Sequence, residues 1–199
     1  ATWAPMIYTD VGRRNLQHMI DSGIDNITGT ADGKTHRILT KLSFEMIGDV
    51  FQPFIYGQKS FPMQVAINYN IPLVMYGENG EVEYGGDLKN AEVPTHNISD
   101  DMVKHYFSGI LPDDFIKYGI QKNNLTFYYP PKEEEAKKVG LENHFFSYYK
   151  KWVPQENYYY AVENCGFECE PDGRSEGTYS KYASLDDRIA GYHNYLAWI

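Results

Sequence analysis

The stretch Ile71-Pro-Leu-Val-Met-Tyr-Gly-Glu-Asn-Gly-Glu-Val-Glu-Tyr-Gly-Gly86 decides the fold that we predict for this chain. Its first six residues form an apolar run that is long enough for a strand buried on both faces, as in the middle of a parallel sheet. The run stops at Gly77, and a loop follows that combines glycines with carboxylate and amide side chains: Glu78, Asn79, Glu81 and Glu83. Because ligands of open α/β sheets bind just beyond the carboxyl ends of the strands, we expect a functional site in this loop.

Residues 1–86 alternate between strand and helix signals. The first four predicted elements are a strand tail at 1–6, a helix capped by Asp10 and stopped by Gly23, a strand at 25–30, and a helix that ends at Gly48 and carries Ile38, Leu39, Leu42 and Met46. An aromatic loop at 51–58, a third helix with Pro62 near its first turn, and the strand at 71–76 follow. This order is typical of an α/β fold in which helices flank a parallel sheet.

Residues 91–199 are typical of a tyrosine-rich, mainly helical region. We predict helices at 99–107, after Pro112, over 132–138, from Pro154 to Gly166, and after a capping box at 184–187, with 148–152 extended. The chain therefore divides into an α/β nucleotide domain (1–90) and a helical substrate or interaction region (91–199). Since the first residues resemble the middle of a strand and the last helix has no stop signal, we also expect a piece of a longer protein.

Composition excludes several classes of function. Twenty-seven acidic against eighteen basic residues give a net charge of −9, which argues against a nucleic-acid-binding face. No apolar run approaches the roughly 20 residues of a membrane span, so we expect no membrane partner. Two cysteines do not make a disulfide framework, and a cytoplasmic location is the default.

Six segments, in order along nearly the whole chain, form a specific pattern: 2–5 (Thr-Trp-Ala-Pro), 8–12 (Tyr-Thr-Asp-Val-Gly), 21–26, 51–58, 71–86 and 177–187. In them the chain resembles the N-acetyl sugar amidotransferase family of lipopolysaccharide and surface-glycan biosynthesis. That family is similar to the PP-loop ATP pyrophosphatases, with an adenine nucleotide alpha hydrolase-like fold. The resemblance implies that ATP adenylates the amide oxygen of an acidic N-acetyl sugar, and that ammonia from a glutaminase subunit then gives an acetamidino group.

The chain departs from the family in one feature. The phosphate-binding loop of the family, Ser-Gly-Gly-x-Asp-Ser, lies upstream of the segment that matches Thr2, and these 199 residues do not contain it. We therefore expect the chain by itself to be inactive, with the first strand and the phosphate loop missing from its nucleotide domain.

The acidic loop is the predicted catalytic centre. The resemblance places Glu78 and Asn79 at the nucleotide, with Glu81 and Glu83 beside them, and assigns Gly77 to the same site. Hard cations such as Mg²⁺ take carboxylate oxygens, so Glu78 is the predicted metal ligand. The alternative is a solvated acidic turn.

Two further groups are predicted to bind the nucleotide. Thr30, Asp32, Gly33 and Lys34 follow a strand and open a helix, which suits an anion. An Asp/Gly turn that only caps the helix is the alternative. Trp3, Pro5 and Tyr8 follow the first strand and suit an adenine pocket, although buried aromatics need no ligand. His36 is interpreted as a surface or capping residue.

The predicted sugar site has two parts. Gln52, Tyr56 and Gln58, with Lys59, suit sugar hydroxyls or an amide, and packing of the loop is the alternative. The second part comprises Arg174, Lys181, Asp186 and Arg188, with Tyr179 and Asp187, and it overlaps the segment at 177–187 of the pattern. Because substrates of such enzymes are usually acidic sugars, an arginine is expected here to bind the substrate carboxylate. A helix cap with surface charges is the alternative. Cys165 and Cys169 are interpreted as structural thiols rather than zinc ligands.

Two other functions stay open. Another PP-loop enzyme, such as a tRNA thiolase, predicts a basic face and a cysteine pair near the nucleotide, and the charge of −9 counts against it. A non-catalytic glycan- or protein-binding module predicts sugar affinity that is indifferent to ATP and Mg²⁺.

Overall fold

The structure, a computed structural model, describes residues 1–77, 94–96, 106–175, 177–192 and 195. In chain order its elements are β1 (Thr2–Trp3), α1 (Asp10–Asp21), β2 (Thr28–Gly29), α2 (Gly33–Ile47), α3 (Gln52–Asn68), β3 (Leu73–Tyr76), β4 (Thr95–His96), 3₁₀ helices at Pro112–Tyr118 and Lys122–Tyr128, α4 (Glu133–Val139), β5 (Glu142–Phe145), α5 (Phe146–Tyr149) and α6 (Pro154–Cys165). Residues 190–192 and 195 are also helical.

The chain divides into two compact units, and the first is discontinuous in sequence. Unit 1 comprises Ala1–Phe54 with Val153–Ile199, and unit 2 comprises Ile55–Trp152. The boundary predicted near residue 90 falls among 78–93, outside the described residues, and stays a prediction. The sequence suggested one region over 91–199, whereas in the structure the chain returns to unit 1 at Val153.

Unit 1 contains a parallel strand pair, which confirms a mixed α/β architecture. Thr2 pairs with Thr28 and Trp3 with Gly29. Buried apolar side chains from both stretches of the chain form its core: Trp3, Ala4, Val11, Leu39, Leu42, Phe54, Leu185 and Ala190. The described residues show short strand pairs rather than the large parallel sheet with flanking helices that we expected.

Helix boundaries in unit 1 follow local chemistry. The side chain of Thr9 accepts a hydrogen bond from the Gly12 N–H, so Thr9, and not the predicted Asp10, is the N-cap of α1. α2 ends at Gly48, as predicted, because Gly48 adopts the left-handed conformation (φ 76°) at its C-cap. α6 begins at Pro154 and ends before Gly166, also as predicted.

Unit 2 contains a three-stranded mixed sheet in the order β3-β5-β4. β3 pairs in parallel with β5, and β4 is antiparallel to β5. Leu73 and Met75 of β3 are 47% and 45% exposed, so the prediction that this strand is buried on both faces is wrong. Alternate residues of a strand face opposite sides, and among the described residues only one side of β3 is covered.

Three other local predictions are corrected. The predicted loop at 51–58 is helical from Gln52 onward and belongs to α3. Pro53 is tolerated in the first turn because the N–H groups there have no helical partner. Pro62, predicted near the first turn of the third helix, lies inside α3. The predicted extended segment at 148–152 begins within the short helix α5. Ser184 has a left-handed φ of 52° and does not cap the last helix, since Oδ1 of Asp187 accepts from the Ile189 N–H instead.

Other predicted helices are found. The charged run at 132–138 forms α4 with a Lys137–Glu133 ion pair (2.6 Å) on its exposed face, and Pro112 opens a 3₁₀ helix. The helix predicted at 99–107 lies largely outside the described residues. No helix in the described part of the chain is long and apolar enough to cross a membrane.

Candidate functional site

The carboxyl ends of β1 and β2 lie at the same edge of their parallel pair. The Ala4 N–H donates to the Gly29 carbonyl (2.8 Å), so both strands leave the pair at this point. On the β2 side the chain continues through four exposed predicted residues into α2: Thr30, Asp32, Gly33 and Lys34. The position is the one at which open parallel sheets bind ligands.

Asp32 is the N-cap of α2. Its carboxylate accepts a hydrogen bond from the Thr35 N–H (2.8 Å), and this bond lowers the pKa of Asp32 below its usual value. Asp32 therefore caps α2, and its carboxylate occupies the Thr35 N–H that a bound anion would otherwise use. A Cβ added at Gly33 would meet nothing within 4 Å, so the space beside the first turn of α2 is open.

On the β1 side the predicted adenine-binding residues differ in exposure. Trp3 is 6% exposed and Pro5 is buried, which agrees with the packing alternative for both. Tyr8 is half-buried and lies immediately before the N-terminus of α1.

Tyr8 lies beside a segment that is distant in sequence. It forms an antiparallel bridge with Asp187, the Arg188 N–H donates to the Ile7 carbonyl (3.0 Å), and the Thr9 N–H donates to the Asp186 carbonyl (3.1 Å). The structure thus brings a predicted nucleotide-binding residue next to the predicted substrate residues Asp186 and Arg188.

Gly12 allows this close approach. A Cβ at position 12 would lie 2.5 Å from the Cα of Asp186, a distance that real side chains do not tolerate. The Thr9 hydroxyl also donates to the Leu185 carbonyl, so the start of α1 packs directly on the backbone of 185–186. Sequence reasoning did not single out Gly12, although it closes the segment 8–12 of the quoted pattern.

The neighbouring carboxyls have perturbed proton affinities. Asp187 is 5% exposed, and its burial, together with the charge of Asp186, raises its pKa. Asp186 as a whole residue is exposed, but nearby protein atoms partly desolvate its carboxyl, and this raises the pKa of Asp186 as well. Burial also raises the pKa of the Tyr8 phenol, with a contribution from Asp186 that Arg13 opposes. Adjacent carboxyls with raised pKa values bind protons more tightly than ordinary aspartates, which favours a role in proton transfer.

The two other predicted substrate cations lie on the exposed surface of unit 1. Arg174 precedes the buried Ser175, in a loop closed by a hydrogen bond from the Ser175 N–H to the Ser180 carbonyl (2.9 Å). Lys181 lies against Tyr158, with its Nζ 5.4 Å from the ring centroid. A hydrogen bond with Tyr158 raises the pKa of Lys181.

The predicted sugar-binding residues of 51–58 are part of α3. Tyr56 is fully buried, donates from its hydroxyl to the Ile110 carbonyl (2.7 Å), and lies edge-on to Phe107. Gln52 is 1% exposed, and Gln58 is half-buried. These positions agree with the packing alternative. Lys59, 9% exposed, lies over the rings of Tyr76 and Tyr106 at 4.7 and 4.3 Å.

The predicted catalytic residues Glu78, Asn79, Glu81 and Glu83 lie outside the described residues, and so does the metal site assigned to Glu78. Gly77, the last described residue before them, is exposed. Within the described ranges, no group of three or more His, Cys, Asp or Glu side chains can hold a metal ion. Cys165 and Cys169 are half-buried and not joined in a disulfide.

Comparison with known proteins assigns no family to the chain. No family model matches it, and no curated protein matches it.

Proposed function

We propose that this protein is an ATP-dependent amidotransferase that converts the N-acetyl group of an acidic sugar into an acetamidino group during surface-polysaccharide synthesis. The observation that carries the proposal is the carboxyl edge of the β1–β2 pair. One strand leads from it to the exposed Lys34 at the start of α2, and the other leads to Tyr8 beside Asp186 and Asp187. The six segments that resemble the amidotransferase family support the same reading.

Lys34 and the open space beside Gly33 are suited to the phosphates of ATP. The ammonium group of Lys34 is exposed in the first turn of α2, and an alanine-sized group at position 33 would meet no protein atom. A lysine at a helix start is a common phosphate ligand in proteins. The Mg²⁺ that accompanies ATP would neutralise phosphate charge, and the resemblance assigns it to Glu78.

Asp186 and Asp187 are suited to the proton transfers of amidation. Ammonia that attacks an activated amide carbon must lose protons, and burial raises the pKa of both carboxyls, which makes each a stronger proton acceptor than an ordinary aspartate. Arg188, exposed beside them, is positioned for the carboxylate of an acidic sugar. We further propose a separate glutaminase as the source of ammonia and the cytoplasm as the location.

The proposal is tested by nucleotide binding and turnover. Binding of ATP with Mg²⁺ is measured on the 199-residue chain. Pyrophosphate release is measured on the protein as the cell expresses it, with ammonium and a panel of nucleotide-linked N-acetyl uronic and nonulosonic acids. Lys34→Met should weaken ATP binding roughly ten- to a hundredfold, because a charge-assisted hydrogen bond to phosphate contributes about 1.5–3 kcal/mol.

Lys41→Met is the matched control. Lys41 lies on the same helix, is exposed, and pairs only loosely with Glu45 (3.7 Å), so its replacement removes the same charge away from the proposed phosphate position. Equal effects of the two variants on ATP binding would reject the assigned site. Sugar-dependent pyrophosphate release that is lost in Glu78→Gln would support the chemistry, and its absence with every sugar would reject it.

A glycan- or protein-binding module is the second candidate, because several tyrosines of unit 1 are strongly exposed. Tyr179 is fully exposed, and Tyr160 and Tyr192 are 66% and 68% exposed. Exposed aromatic rings stack on sugars and are enriched at interfaces. Sugar binding that is unchanged by ATP and Mg²⁺, in a protein without pyrophosphate release, would favour this candidate.

A further inference from the structure

Unit 2 carries an open cleft of about 540 Å³ on the exposed face of β3 and β5. Leu73 and Met75 of β3 form part of its wall, and Glu142 and His144 of β5 lie beside them. Pro72, Gly140 and Tyr149 also line the cleft. None of these lining residues belongs to the β1–β2 edge or to the acidic loop to which the proposed amidation is assigned.

Three side chains of the cleft form a continuous hydrogen-bonded chain. His144 Nε2 lies 2.8 Å from a carboxylate oxygen of Glu142, and His144 Nδ1 is hydrogen-bonded to the Tyr149 hydroxyl. A carboxylate only accepts, so Nε2 of His144 carries a proton. In the neutral imidazole Nδ1 is then the acceptor, and the Tyr149 O–H donates to it.

Local structure holds these groups in place. Glu142 and His144 are two residues apart on a strand and therefore share one face of the sheet. The short helix α5 then returns the chain, so that the Tyr149 ring lies nearly parallel to the His144 ring, with the ring centroids 5.8 Å apart and an interplanar angle of 18°. The His144 side chain is only 14% exposed, whereas Tyr149 is 56% exposed and accessible from the cleft.

We propose that Tyr149 is a nucleophile that accepts an acyl group, with His144 as its general base and Glu142 as the residue that orients His144. A nucleophile, a base and a carboxylate that orients the base form the recurring arrangement of covalent catalysis. In the step, the Tyr149 oxygen forms a bond to the acyl carbon while the bond from that carbon to its leaving group breaks. His144 takes the phenolic proton and returns it to the leaving group.

The cleft indicates the class of acyl donor. Leu73, Met75 and Pro72 provide apolar surface in the cleft that Tyr149 also lines, and Leu73 and Met75 are nearly half exposed. An ester or thioester with an aliphatic or aromatic acyl group would cover this surface. Because burial of apolar surface is favourable, longer acyl chains should react faster than acetyl.

The experiment treats the 199-residue chain with a 4-nitrophenyl ester of a medium-chain fatty acid at mildly alkaline pH. Release of nitrophenolate is followed by absorbance, and acylated tyrosines are quantified by peptide mass spectrometry. Tyr159 and Tyr160 of α6 are internal references, since they are 61% and 66% exposed in the same molecule. Tyr149 should be acylated at least about tenfold faster than either, a modest fraction of what a positioned base contributes.

Variants separate the roles. His144→Gln removes the base and should reduce the acylation of Tyr149 to the level of Tyr160, and Glu142→Gln should reduce it several-fold. Tyr148→Phe is the matched control, because Tyr148 is 50% exposed and adjacent to Tyr149 but lies outside the hydrogen-bonded chain. It should leave the rate at Tyr149 unchanged.

Two results would overturn the proposal. Acylation of Tyr149 no faster than that of Tyr160 would show that its hydroxyl is not activated. An unchanged rate at Tyr149 in His144→Gln would show that His144 is not its base. Unaltered rates at Tyr159 and Tyr160 in each variant, with an unaltered circular dichroism spectrum, distinguish these results from loss of the fold.

Discussion

His36 lies in the first turns of α2 and is only 2% exposed. Burial lowers its pKa from 6.5 to about 4, because a charged imidazole is poorly solvated inside a protein. The sequence-based interpretation of His36 as a surface or capping residue is therefore wrong. His36 is a neutral core residue near physiological pH.

The pH dependence of stability tests this assignment. The folded state has the lower pKa, so it binds fewer protons than the unfolded chain between pH 6.5 and about 4. The free energy of unfolding should therefore fall as the pH decreases through this window, by about 3 kcal/mol if a shift of this size is fully expressed. Urea denaturation at a series of pH values measures the fall.

His36→Gln should lack this fall, whatever its stability at neutral pH. Asp186 and Asp187 have raised pKa values, so they oppose the fall as the pH decreases. They are present in both proteins, and the difference between the two pH profiles therefore isolates His36. Profiles of the same slope would contradict the assignment.

At the scale of elements, α1 shows how one residue serves both a helix and its tertiary contact. The Thr9 hydroxyl accepts from the Gly12 N–H at 2.9 Å and donates to the Leu185 carbonyl. The first bond is predictable from sequence, since Thr is a favoured N-cap residue. The second depends on a segment that lies 176 residues away in the chain.

Thr9→Ala should lower the free energy of unfolding by about 1–2 kcal/mol, the upper part of the range for a lost helix cap. We expect a loss of stability in the upper part of this range because the variant also loses the hydrogen bond to the Leu185 carbonyl. Chemical denaturation measures it. Thr9→Ser keeps the hydroxyl and should retain most of the stability, and a loss in Thr9→Ser as large as in Thr9→Ala would show that the hydroxyl bonds are not responsible.

At the scale of the whole molecule, unit 1 is assembled from two stretches that are about a hundred residues apart. Leu185 and Ala190 share its core with residues of the first stretch. An Arg14–Glu168 ion pair (2.8 Å) and hydrogen bonds between Asn15 and the Glu168 backbone join the stretches at the surface. The two stretches should therefore open together.

Leu185→Ala tests this cooperativity. Leu185 is 6% exposed, and removing a buried leucine side chain costs about 2–5 kcal/mol. Hydrogen exchange followed by mass spectrometry should show faster exchange in α1 and α2 as well as in 153–192, with β5 of unit 2 as the reference. Faster exchange confined to 153–192 would contradict a shared core.

The sequence by itself determined the features that depend on a few neighbouring residues. Gly48 and Gly166 end helices because glycine adopts positive φ without steric cost, Pro154 begins one because a helix start needs no N–H from that residue, and the charged run at 132–138 is an exposed helix. The parallel pairing of the first two strands was also predicted in kind, although not their shortness.

Only the tertiary structure decided which faces are covered and which distant groups meet. An apolar run such as 71–76 is equally compatible with a strand buried on both faces and with a strand buried on one, because burial depends on which elements pack against each face and not on the run itself. The bridge between Tyr8 and Asp187 arises in the same way, from chain segments whose contact no local pattern encodes. The cleft that Leu73, Met75 and Tyr149 line also depends on tertiary structure, because it exists only once β3 has paired with β5.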